Sequence, residues 1–149
     1  MRRIVRTLAI GVALASTLTL TACDKPAPKL TLQTGAFSTT VGPTTYAFDS
    51  THLRTYSVSL PEVTAKTDAT VLIDVPRKVA HNGWAVTAIS LNAKHTVLGD
   101  SGEIKNQHSY RVAAQSNNGS PFIVRVSQLR NGKADGSVWG FLVKVSDAT

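Results

Sequence analysis

Phe122-Ile123-Val124-Arg125-Val126-Ser127, followed beyond Asn131-Gly132 by Trp139-Gly140-Phe141-Leu142-Val143-Lys144-Val145, decides the fold. In both stretches apolar residues recur at every second position, which is the period of a strand with one buried face. Working outward, the same period appears in Tyr110-Val112-Ala114, in Trp84-Val86-Ala88, in Val71-Ile73-Val75 and in Tyr56-Val58-Leu60. Leu30 to Thr34 and Thr44 to Phe48 complete seven to nine expected strands, and helical spacing is almost absent. Gly42-Pro43, Asn82-Gly83, Asn118-Gly119, Asn131-Gly132 and Asp135-Gly136 are read as the turns between them. The sequence predicts an all-β domain over residues 30–149, an antiparallel two-sheet sandwich.

Three residues sharpen that architecture. Ile73 lies in one strand, Trp84 stands eleven residues later at the head of the next, and Tyr110 opens a later one. The spacing resembles the immunoglobulin core, in which a Trp packs on a bridge between sheets and a Tyr stands two residues before the second half-cystine. Apolar side chains fill the cysteine positions here, which leaves the strand order open. Trp84 and Trp139 are expected to face the core.

The amino-terminal stretch has a different logic. Arg2, Arg3 and Arg6 precede an apolar, small-residue run from Leu8 to Leu20, which is the length of a signal-peptide core and too short to cross a bilayer. Leu20-Thr21-Ala22-Cys23 then matches the lipobox of bacterial lipoproteins, and Cys23 is the only cysteine among the 149 residues. The expectation is a cleaved signal over residues 1–22 and a diacylglycerol on the Cys23 thiol. A lone thiol makes no internal disulfide, so the domain is expected to stand on its core. Lys25-Pro26-Ala27-Pro28-Lys29 would form the rest of a tether over residues 23–29, extended by its prolines to about 20 Å. The expected location is the extracytoplasmic face of the cell membrane, with membrane lipid as one partner through the acyl chains.

Composition narrows function. The chain carries 16 Lys and Arg against 9 Asp and Glu, for a formal charge of +7. Three of those cations belong to the leader, so cleavage leaves +4 on 127 residues. Arg54, Lys66, Lys94, Arg111, Arg125 and Lys144 are scattered singly rather than clustered, which argues against a nucleic-acid partner. His52, His81, His95 and His108 have no metal-ligand spacing, and no metal or cofactor is expected. Gly99-Asp100-Ser101-Gly102 copies the letters around a chymotrypsin-type nucleophile, but the chain is too short for that double barrel, and the same letters favour a loop. No acidic pair shows glycosidase spacing. No catalytic residue is therefore assigned, and the protein is not expected to be an enzyme.

The lipobox, the proline tether and Ala69-Thr70-Val71-Leu72-Ile73-Asp74-Val75-Pro76 leading to Gly83-Trp84 together make the chain resemble small uncharacterised lipoproteins of actinobacteria, a domain-of-unknown-function family. The resemblance implies location and carries no site residue other than Cys23. Two functions follow as expectations. One is a non-catalytic accessory module working by contact with an envelope protein. The other is a carrier or sensor of a small envelope ligand, lipid or glycan, favoured if outward residues such as Leu72, Ile89, Ile123 and Leu142 line a pocket.

Overall fold

The period-two segments fold as strands, and the computed structural model describes them over residues 25–114 and 120–146. The signal over 1–22, Cys23 and the Asn118-Gly119 turn lie outside the described residues. In chain order the elements are β1 (Leu30–Thr34), β2 (Phe37–Val41), β3 (Thr45–Ala47), β4 (Leu53–Thr55), β5 (Glu62–Lys66) and β6 (Thr70–Asp74). A single-turn helix, α1 (Arg77–Asn82), precedes β7 (Trp84–Ser90), β8 (Val97–Asp100), β9 (Ser109–Ala113), β10 (Phe122–Arg130) and β11 (Lys133–Ser146).

Two sheets result. The smaller has the order β2-β1-β6-β9; the larger runs β4-β3-β11-β10-β7-β8, with β5 also paired to β11. All pairs are antiparallel except β5 with β11, which run parallel from Leu142 opposite Glu62 to Ser146 opposite Lys66. The protein is an all-β sandwich. Its core is made by the alternate residues of facing strands: Leu30, Leu32, Val71 and Ile73 from the smaller sheet, and Val86, Val124, Val126, Phe141 and Val143 from the larger. Each such side chain contributes about 1.5–3 kcal/mol by leaving water.

Both tryptophans are fully buried, as their alternation requires. A buried indole N–H needs an acceptor, and each has one: Trp84 Nε1 donates to the Gln107 carbonyl at 2.9 Å and Trp139 Nε1 to the Pro28 carbonyl at 3.0 Å. The Trp84 and Tyr110 rings meet edge-on at 6.5 Å across the sandwich. Ile73 in β6 and Val112, two residues after Tyr110 in β9, lie on neighbouring strands of the smaller sheet, so the positions compared with an inter-sheet bridge here lie in one sheet.

Local departures from the sequence reading have identifiable causes. Asp135-Gly136 lies inside β11 instead of at a turn: Asp135 Oδ1 accepts the Ser137 N–H at 2.8 Å, and Gly136 takes φ +94° within a strand that continues to Ser146. The actual hairpin turn is Asn131-Gly132, with φ of +54° and +74°, the pair of positive values a two-residue turn of this kind requires. Tyr56 to Leu60 is not a strand. Its alternation arises because Tyr56 packs against the core while Leu60 lies over Gly140, where an added methyl would stand 2.8 Å from Leu60 Cδ2. Asn82-Gly83 ends α1, whose Val79 and Ala80 are buried and whose last carbonyl partner is the Gly83 N–H, donating to the Val79 carbonyl at 3.1 Å. Part of the segment expected as a tether is docked: Ala27 packs against the core and the Pro28 carbonyl accepts from Trp139.

Candidate functional site

The strand register assembles a surface from residues that are far apart in sequence. On β7, Trp84, Val86 and Ala88 face inward, which turns Ile89 to the outer face of the larger sheet. Ile89 lies directly opposite Ile123 on β10, and Ile123 directly opposite Leu142 on β11. On the other side Ile89 pairs with Val97 of β8, at an irregularity that leaves Leu98 turned toward the interior cleft. Val97, Ile89, Ile123 and Leu142 thus form one line across β8, β7, β10 and β11. Direct cross-strand neighbours sit about 4.5–5.5 Å apart at Cβ, so these side chains make a continuous apolar stripe. Val97 is 58% exposed, and Leu60, 39% exposed, extends the stripe beside Gly140.

Polar residues border the stripe at one end and along one side. At the β5 end Glu62, directly opposite Leu142, meets Lys144 Nζ at 2.6 Å. Along one side lie Asp100, Thr87 and Arg125, successive partners in the ladder. Asp100 is held below the usual carboxylate range, first by the Gly102 N–H at 2.7 Å, then by the Thr87 hydroxyl at 3.0 Å, with Arg125 adding its charge. An apolar centre with a polar rim is the anatomy of a protein-contact patch.

A second feature is concave. Between β8 and β9, one edge strand of each sheet, lies a cleft of about 540 Å³ with Val86, Ala88 and Phe122 inside and Arg111 and Asp100 at its polar side. Leu98 and Phe122 carry it into a smaller space beside Ser90, whose buried hydroxyl has no hydrogen-bond partner. None of Leu72, Ile89, Ile123 and Leu142 lines either space. Three of them form the flat stripe, while Leu72 belongs to the smaller sheet.

No known family model matches the chain, and no characterised protein does.

The remaining sequence candidates fall apart in space. Ser101 Oγ donates to the Gly102 carbonyl and accepts the Val86 N–H, both at 2.8 Å, so its hydroxyl closes the end of β8 onto β7. His52 sits exposed beside Asp49 at 3.3 Å, and His108 Nδ1 lies 3.2 Å from the Val75 carbonyl. Among the described residues, no three His, Cys, Asp or Glu side chains gather in a metal-binding group. No described helix is long and apolar enough to cross a membrane. Cys23, the one site residue named from sequence, lies outside the described residues.

Sequence reasoning missed two things. Val97 leads into Gly99-Asp100-Ser101-Gly102, whose letters favour a loop; Gly99 and Asp100 instead belong to β8, and only the β7–β8 register brings Val97 to Ile89. Phe37 falls between the expected strands Leu30 to Thr34 and Thr44 to Phe48, and nothing in its Ser- and Thr-rich surroundings signals its 82% exposure.

Proposed function

We propose that this protein is a lipid-anchored, non-catalytic accessory module of the cell envelope that works by holding a partner protein against the outer face of its larger sheet. The observation carrying this reading is the stripe of Val97, Ile89, Ile123 and Leu142, with Asp100, Thr87 and Arg125 along one side and the Glu62–Lys144 pair at its β5 end. A flat apolar line on a folded sheet gives a protein surface area to bury and gives a small molecule little enclosure. The anchor belongs to the same proposal: cleavage after residue 22, acylation of Cys23 and a place among the actinobacterial lipoproteins that the sequence resembles. With Pro28 fixed to Trp139, only residues 24–26 separate the lipid from the first docked residue, a reach of about 10 Å. Such a leash keeps the domain close to the membrane, where an envelope partner is met at high local concentration.

In-cell crosslinking with mass spectrometry tests both parts. The wild-type chain is expected to capture a reproducible envelope protein, Ile123→Asp to lose it while melting normally, and Cys23→Ser to lose acyl incorporation. Retention of the neighbour by Ile123→Asp contradicts the contact surface; continued acylation of Cys23→Ser contradicts the anchor.

The cleft beside Ser90 supports a second reading, carriage of a small amphipathic envelope ligand. Its mark would be a lipid or glycan co-purifying with the wild-type protein and absent from Ala88→Trp, which fills the space between β8 and β9.

A further inference from the structure

Open sheet edges normally carry protection against pairing with other chains: short length, charge, proline or a bulge. Four edges of this sandwich show such devices. β4 has three residues, β5 carries Glu62 and Lys66, β8 has a register break and ends in Asp100, and β9 carries Arg111. β2 shows none. Phe37-Ser38-Thr39-Thr40-Val41 pairs with β1 in unbroken register over five residues, without a charge, a proline or a bulge, and no described strand covers its other side.

Its side chains are arranged to match. Val41 is buried, so by alternation Thr39 and Phe37 share its inward face. Phe37 is nevertheless 82% exposed, because that end of the strand borders a groove of about 810 Å³ that Leu32, Val63 and Ala69 also line. An aromatic ring on the core-facing side of a strand, beside an apolar groove, has the position of a core residue without being covered by the described residues.

The backbone is equally prepared. Gly35-Ala36 is a two-residue turn with Gly35 at φ +55°, which makes Thr34 and Phe37 the hydrogen-bonded closing pair. By alternation the Phe37, Thr39 and Val41 amides serve the β1 ladder, whereas those of Ser38 and Thr40 point to the open side.

We propose that β2 is a strand acceptor: an extended segment of the envelope partner adds to it as a fifth strand of the smaller sheet and places an apolar side chain beside Phe37. The absence of charge along residues 35–43 selects a segment that is itself uncharged where it pairs, since a Lys or Glu there would lose water without gaining a partner. A second copy of this chain fits less well. β2 ends at Val41, opposite Leu30, where the tether joins; antiparallel pairing of two β2 strands would put the two tethers at opposite ends of the joined sheet. That argument, like the choice of an envelope partner, rests on the anchored contact module proposed above.

The test uses the full chain in detergent and the peptide acetyl-Lys-Thr-Val-Thr-Val-Thr-Lys-amide, with amide hydrogen exchange read by NMR. At saturating peptide the Ser38 and Thr40 amides should exchange about tenfold more slowly, while those of Phe37 and Thr39, already in the ladder, hold their rates. Thr40→Pro removes an outward donor and no ladder bond, so it should melt like the wild type and lose the protection at Ser38. Phe37→Ala, which alters no backbone group, should weaken peptide binding severalfold. Unchanged exchange at Ser38 and Thr40, protection at β8 or β9 instead, or protection that rises with protein concentration alone would each overturn the proposal, the last by making a second copy the occupant. In cells the two claims separate. A crosslinked neighbour lost in Ile123→Asp but kept in Thr40→Pro overturns the acceptor and leaves the contact reading standing; loss in both supports the acceptor as part of the same contact.

Discussion

Where the chain enters the domain, Trp139, Tyr46 and Trp84 are at most 2% exposed. Tyr46 meets Phe48 and Trp139 edge-on at 5.0 and 6.1 Å, and Lys78 Nζ stands 5.7 Å from the centre of the Tyr46 ring. At the other end of the smaller sheet Phe37, also an aromatic on an inward-facing row, stands 82% exposed above a groove. The same kind of side chain is sealed in one place and left open in the other. Stability is concentrated at the tether end, and apolar surface remains available at the hairpin end and across the outer stripe. An anchored contact module requires that division, since the end joined to the tether must hold while the far surfaces meet a partner.

The largest effect should come from substituting the two aromatics in turn. Trp139→Ala removes a fully buried ring and the indole N–H that donates to the Pro28 carbonyl, and should cost about 3–5 kcal/mol in denaturant unfolding. Phe37→Ala should change stability by less than about 0.5 kcal/mol. Equal losses would erase the distinction between the ends.

Next in size is Ser137, a fully buried hydroxyl that accepts the Ala47 N–H at 3.0 Å. Ser137→Ala leaves that amide unpaired and should cost about 1–3 kcal/mol by thermal melting. Glycines extend the comparison. Gly136→Ala must adopt φ +94° with Leu53 Cδ1 at 3.0 Å, whereas Gly35→Ala at the open hairpin meets nothing within 4 Å at φ +55°. Both carry the positive-φ penalty of about 1–2 kcal/mol, and Gly136→Ala should be the worse of the two.

The smallest effect concerns pH. Asp49 sits in the exposed β3–β4 turn, where the Thr51 N–H and hydroxyl and the His52 N–H lower its pKa from 3.8 to about 2. A lowered native pKa means that the carboxylate's contribution is present above pH 3.8 and is lost as pH falls toward about 2. Asp49→Asn should lower the melting temperature slightly at neutral pH, where the carboxylate's contribution is lost, and flatten its fall across that window. A pH slope that persists in the variant would assign it to another carboxylate.

Much of the sandwich was legible because burial writes itself into alternation. Phe122-Val124-Val126 and Phe141-Val143 mark inward faces that no helical reading accommodates, and Ile89, Ile123 and Leu142 were identifiable one by one as outward residues. Their alignment was not, because a line across strands depends on register, and register is set by turns and bulges such as the one that brings Val97 to Ile89. The parallel β5–β11 pairing was hidden for the same reason: Glu62 to Lys66 alternates like any other edge strand, and nothing local names its neighbour. Asp135-Gly136 misled because letters that favour a turn also suit an irregular strand. Phe37 escaped notice because its Ser- and Thr-rich neighbours describe a strand without saying which strand lies at an edge.

The central claim is that the partner meets the outer face of the larger sheet. A photo-crosslinking residue placed in cells at Ile123, and in a parallel strain at Lys133, which opens β11 just after the Asn131-Gly132 turn at the tether end, tests it most directly. The account predicts a discrete adduct with one envelope protein from position 123 and none from position 133. Adducts of equal yield from both positions, or from position 133 alone, would contradict it.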